Sequence, residues 1–362
     1  MIAGCFINIP AQTTLKDAYK KHFMIGAALN SAQFTETDKR GAEIVKKQFN
    51  TITPENVLKW GLVHPDPDRY DFAAPDKYVE FGVKNKMFIV GHTLVWHNQT
   101  PKWVFEDAQG KPLTREALLE RLRDHIHTVV GRYKGKIRGW DVVNEALNED
   151  GTMRQTQWYK IIGEDYLAKA FQYAHEADPK AELYYNDYSL ENEPKRNGAV
   201  ALLKKLLAQK IPVKAVGLQG HNRMTWPTLG QQDTTIAAFA ALGIKVMITE
   251  LDVEMLPRDT GNQAADVNLD IKLNKTLNPY VDGLPESLQQ EQAKRYADLF
   301  AIYLKHKRSV TRVTFWGVTD GDSWLNGWPV RGRTNHPLLF DREGKPKPAF
   351  DAVIKAGQNR ER

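Results

Sequence analysis

The chain holds a single cysteine, Cys5, among 362 residues, which excludes an intramolecular disulfide and any cysteine-held metal cluster. No apolar run approaches the roughly 18 residues of a membrane-spanning helix, so no spanning segment is expected. Blocks of five or six like charges are also missing, and a net charge of +6 from 50 basic and 44 acidic residues is mild. A nucleic-acid tail is therefore not indicated. Stretches such as "KNKM" and "RDHIHTVVGRYKGK" read instead as solvated helix and loop faces. No phosphate-cradling glycine loop follows the first strand-like segment, which argues against a nucleotide-binding sheet. His92 and His97 stand five apart without an HExxH pattern, and no compact ligand set accompanies them, so neither a metal nor another cofactor is expected.

What is present is ordinary globular material, 42% hydrophobic and 26% charged. From residue 24 onward, short β-rich runs alternate with amphipathic helical stretches. The strand candidates are 24–29, 49–56, 87–96, 137–145, 182–188, 215–221, 245–253 and 310–318. Most are apolar through their middles, as strands covered on both faces should be. Helical periodicity marks 114–133, 158–177, 194–210 and 285–307. Eight strands alternating with helices predict an α/β fold, a single (β/α)8 TIM barrel, with long loops after strands 3, 7 and 8. No linker or repeat divides it, so residues 12–362 read as one catalytic domain. Residues 1–11, "MIAGCFINIPA", are apolar, uncharged and rich in small residues. They read as the remnant of a signal or lipoprotein segment, the alternative being an irregular extension, and the protein is expected to be secreted, periplasmic or lipid-anchored outside the cytoplasm.

Polar side chains gather where the strands end. The second strand supplies Glu55, Asn56 and Lys59; the third, His92 and Trp96; the fourth, Asn144 and Glu145. The sixth supplies Gln219 and His221, the seventh Glu250 and Asp252, and the eighth Trp316. Each alone has a structural explanation as a cap, a core ring or a salt-bridge partner. In a barrel these ends converge on one mouth, and a single site accounts for all of them. The period of two lets Gln219 and His221 share a side of their strand, and likewise Glu250 and Asp252. Asn144 and Glu145 are adjacent and nominally point apart.

Two glutamates with amides, imidazoles and tryptophans suit glycoside hydrolysis, which needs one protonated and one ionised carboxyl flanking the scissile bond. Aromatic faces stack on sugar rings, and the polar groups bond hydroxyls. The segments "TPENVLKW", "GHTLVWHNQTPKW", "WDVVNEA", "GLQGH", "ITELDV" and "TFWGVTDGDSWL", in this order, resemble glycoside hydrolase family 10, the endo-β-1,4-xylanases. The resemblance runs from about Leu15 to about Ile354.

It implies a retaining endo-β-1,4-xylanase that cleaves internal bonds of xylan, with Glu145 as acid/base and Glu250 as nucleophile. Asn144 would bond the 2-hydroxyl at the cleavage point, and His221 and Asp252 would support Glu250. Glu55, Asn56, Lys59, His92, Trp96, Gln219, Trp316 and Trp324 match positions lining the glycone half of the family's cleft. The expected partners are xylan and xylo-oligosaccharides, decorated or plain, with monomer as the default state. After "GLQGH" the chain reads "NRMTW", where members commonly place an aromatic residue directly after the histidine, so the leaving-group side does not carry over. The alternatives are a retaining β-1,4-glycanase acting on another sugar and a non-catalytic polysaccharide-binding barrel.

Overall fold

The computed structural model describes residues 13–258, 272–273 and 275–358. The segment 1–11 with Cys5, and positions 259–271 and 274 of the long loop after the seventh strand, lie outside the described residues. Eight strands form the barrel: β1 Met24–Leu29, β2 Thr51–Pro54, β3 Phe88–Val95, β4 Gly139–Asn144, β5 Glu182–Asp187, β6 Ala215–Leu218, β7 Lys245–Glu254 and β8 Val310–Phe315. All neighbours pair in parallel in chain order, and β1 closes on β8 with Met24 opposite Arg312 and Gly26 opposite Thr314. A three-residue strand, His221–Arg223, pairs with the outer half of β7, setting His221 opposite Asp252.

One main helix follows each barrel strand: α1 Lys39–Gln48, α2 Ala73–Lys84, α3 Arg115–Arg132, α4 Tyr166–Ala177, α5 Glu193–Ala208, α6 Leu229–Ala240, α7 Glu286–Lys305 and α8 Pro348–Gln358. Local chemistry sets their starts. Thr114 accepts from the Ala117 amide at the head of α3, and Thr228 with Gln231 forms a capping box at α6. Every residue of β2, β3, β4 and β6 is buried, as expected for strands covered by helices outside and by packed side chains within. Tight packing dictates small residues inside: a Cβ on Gly91 would lie 2.1 Å from Cε3 of Trp140.

Three expectations are corrected. The second strand is shorter than 49–56, because the chain turns just beyond it, with the Lys59 amide donating to the Asn56 carbonyl (2.8 Å). The helix expected over 158–177 is two helices, Gln157–Ile162 and α4, separated at Gly163, whose φ of 94° suits glycine alone. "RDHIHTVVGRYKGK" is only partly solvated: His125, Ile126, Val129, Val130 and Tyr133 are buried. Of these, His125 stacks on Trp60 with ring centroids 3.5 Å apart. The spacing of its apolar residues belongs to a helix face that points inward.

Candidate active site

At the C-terminal ends of the strands, one cleft is lined by Glu55, Asn56, Lys59, His92, Trp96, Asn144, Glu145, Gln219, His221, Glu250, Trp316 and Trp324, together with Gln99. Asp252 is the one nominated residue outside this lining; it stands behind His221 and bonds its Nδ1 (2.9 Å). A roomier groove lies elsewhere, between α7 and α8, floored by alanines and rimmed by lysines, and it holds none of the nominated residues.

Backbone conformation solves the problem of adjacent Asn144 and Glu145. Glu145 follows the last residue of β4 and takes φ 59°, a left-handed conformation uncommon outside glycine. The turn brings its side chain round to that of its neighbour, and Asn144 Nδ2 donates to Glu145 Oε1 (3.1 Å). Gln219 Nε2 donates to the same oxygen (3.0 Å), and Trp96 Nε1 donates to Oε2 (2.7 Å). Glu145 is thus held entirely by neutral donors.

Glu250 has a different environment. Its Oε2 lies 3.2 Å from His221 Nε2, and Asn186 Nδ2 donates to its Oε1 (2.8 Å). His221 is bracketed by two carboxylates, so both ring nitrogens must donate and the ring is an imidazolium. Burial opposes that charge, but Asp252 and then Glu250 outweigh it and raise the His221 pKa to about 10. Burial likewise raises Glu250, and the bond and charge of His221, the charge of His92 and the Asn186 bond reverse this, holding its carboxyl below the ordinary value. Trp324 Nε1 donates to Asp252 Oδ2 (2.9 Å), tying the loop after β8 to this array.

The rest of the cleft is built from the ends of β2, β3 and β8. Lys59 Nζ donates to Asn56 Oδ1 (2.9 Å) and sits 5.1 Å from the centroid of the Trp96 ring. Burial pulls the Lys59 pKa down, against the charges of Glu250, Glu55 and Glu145. Burial pushes Glu55 up, and Asp322 adds to this while Lys59 and Asn56 oppose it. His92 Nδ1 bonds Asp141 Oδ2 (2.9 Å), and its ring meets Trp316 edge-on at 5.4 Å.

Sequence reasoning missed Asn186, Asp141 and Gln99. Asn186 carries the clearest signal: a fully buried amide within an apolar strand, in "YYNDY", needs partners, and it has them in both Asn144 and Glu250.

Two glutamates thus line one cleft, one held by neutral donors and the other beside a cation, an arrangement compatible with the paired carboxyls that glycoside hydrolysis uses. The model of glycosyl hydrolase family 10 matches residues 14–356. The chain belongs to that family. It is a glycoside hydrolase. Endo-1,4-beta-xylanase A of Xylanibacter ruminicola is 48% identical over 344 residues, covering 95% of this chain and 93% of that one. The beta-1,4-xylanase of Dictyoglomus thermophilum is 43% identical over 344 residues, covering 94% and 90%. Among solved structures, a GH10 endoxylanase retrieved from a sugarcane soil metagenome superposes with a TM-score of 0.92 at 46% identity, covering 94% of this chain and 99% of the other. No helix among the described residues is long and apolar enough to cross a membrane.

Proposed function

We propose that this family 10 hydrolase is a retaining endo-β-1,4-xylanase working by double displacement. The observation that carries the reading is the contrast between the two glutamates: Glu250 is kept ionised by His221, whose imidazolium Asp252 sustains, while Glu145 is held by the neutral donors Trp96, Gln219 and Asn144. Glu250 attacks the anomeric carbon as Glu145 protonates the leaving oxygen, and a glycosyl-enzyme forms. Glu145 then takes a proton from water, which displaces Glu250, so the product keeps the β configuration. Asn144 bonds the 2-hydroxyl of the sugar at the cleavage point. Glu55, Asn56, Lys59, His92, Trp96 and Gln219 hold the glycone, and Trp316 and Trp324 wall it in.

The names of the relatives support xylan as the polymer. Xylose lacks the C6 hydroxymethyl group, so a wall built of Trp316 and Trp324 close to C5 admits xylose and obstructs glucose. The test is proton NMR of purified enzyme with unbranched β-1,4-xylo-oligosaccharides. The β-anomer should appear first and mutarotate later. Early α-anomer would overturn Glu250 as nucleophile, and equal turnover of cello-oligosaccharides would overturn the specificity.

A further inference from the structure

Between the two glutamates runs a chain of buried amides. Asn186 Nδ2 donates both to Glu250 Oε1 (2.8 Å) and to Asn144 Oδ1 (2.8 Å), and Asn144 Nδ2 donates to Glu145 Oε1 (3.1 Å). An amide has two faces, one donating and one accepting, and a flipped asparagine would set oxygen against oxygen along this line. An ionised Glu250 only accepts, so Asn186 must present its NH2 group there. Its Oδ1 then faces β7, where the Thr249 hydroxyl lies 2.6 Å away. The other acceptor within reach of that hydroxyl, the Leu218 carbonyl, is more distant at 3.3 Å. With its oxygen engaged by Asn186, Asn144 has only its NH2 to turn toward Glu145. Thr249 and Asn186 are both buried, so water cannot substitute freely for either partner.

We propose that Thr249 is a positioning residue: its hydroxyl fixes the sense of the Asn186 and Asn144 amides, and through them the donors serving both Glu250 and Glu145. The inference rests on the roles assigned to the two glutamates above. Gly217 on β6 is a second feature of the same arrangement. A Cβ there would lie 2.2 Å from Asn186 Oδ1 and 2.7 Å from Thr249 Cγ2, so only glycine leaves room for the two side chains to meet. This accounts for a glycine inside a strand, where it is otherwise unfavourable.

Thr249→Val preserves shape and removes the hydroxyl, leaving a buried amide oxygen without its donor, and should lower kcat about tenfold. KM should change little, because the misaligned donors act in the transition state. Thr249→Ser, which keeps the hydroxyl, should restore most of the rate. In an Asn186→Ala background, Thr249→Val should cost nothing further, since the residue it acts through is gone. The proposal is overturned by an unchanged kcat in Thr249→Val, by equal damage from serine and valine, or by a full extra loss in the double variant. Melting temperatures and circular dichroism of each variant separate a lost fold from a lost rate. If the valine protein does not fold, Thr249→Ala, which also removes the hydroxyl, takes its place in both Asn186 backgrounds with the same outcomes. Glu250→Ala is the control: activity surviving there would defeat the nucleophile assignment itself, whereas an inactive Glu250→Ala beside an unaffected Thr249→Val would defeat only the relay.

Discussion

Replacing His221 with glutamine removes the positive charge between Glu250 and Asp252 while keeping a donor of similar reach. Both carboxylates are shielded from solvent, at 5% and 1% exposure, so water and salt cannot take over the role of the imidazolium. With Glu250 ionised, a bond from either donor is charge-assisted and contributes about 1.5–3 kcal/mol, so the substitution keeps a bond and removes the net positive charge 3.2 Å away. That charge favours the ionised carboxyl, and its loss lets burial raise the Glu250 pKa. The sign follows from the direction of the native shift. His221 helps hold the Glu250 pKa below its ordinary value, so the carboxyl stays ionised until the pH falls through that lowered value. In His221→Gln the pKa rises, and the acid limb of kcat/KM, measured on a chromogenic aryl β-xylobioside, should move toward neutral pH. A variant with lower kcat but an unmoved acid limb would refute the reasoning, because His221 would then act on something other than the ionisation of Glu250.

Glu145→Ala should lose about 10²–10⁴-fold in rate on oligosaccharides, whose leaving oxygen needs a proton, and far less on dinitrophenyl glycosides. Equal losses on the two would remove Glu145 as acid. Gly91→Ala, whose Cβ would strike the Trp140 ring at 2.1 Å, should destabilise the barrel by about 1–3 kcal/mol, read as a lower Tm. An unchanged Tm would show that the ring yields. His221 is raised from 6.5 to about 10 on folding, so its stabilising contribution is complete below 6.5 and fades as the pH climbs through 10. Wild-type Tm should therefore fall across that alkaline interval more steeply than that of His221→Gln; parallel curves would contradict the shift.

The barrel and most of the cleft are legible in the residue order because both follow from periodicity. Strands apolar throughout must be covered on both sides, and polar residues at their C-terminal ends have one mouth to face. Other features depend on contacts between distant segments. Asn186 belongs to a strand whose sequence gives it no pattern partner, and its contacts emerge only when β4 brings Asn144 and β7 brings Glu250 within hydrogen-bond reach. His125 looks like part of a charged surface until Trp60 is found stacked on it. The left-handed turn at Glu145 is invisible too, since glutamate carries no preference for positive φ.

The distribution of the cleft along the chain has a consequence for assembly. Glu145, Asn144 and Asn186 precede the turn between α5 and β6, whereas Gln219, His221, Thr249 and Glu250 follow it. Each half of the barrel carries one carboxylate and part of its support, so a protein cut in this turn should be silent as separate fragments. Hydrolysis would return only where the two pieces dock along both seams, β5 against β6 and β8 against β1. Turnover in this molecule is therefore a report on ring closure, and a split version would convert the meeting of two tethered halves into a visible signal.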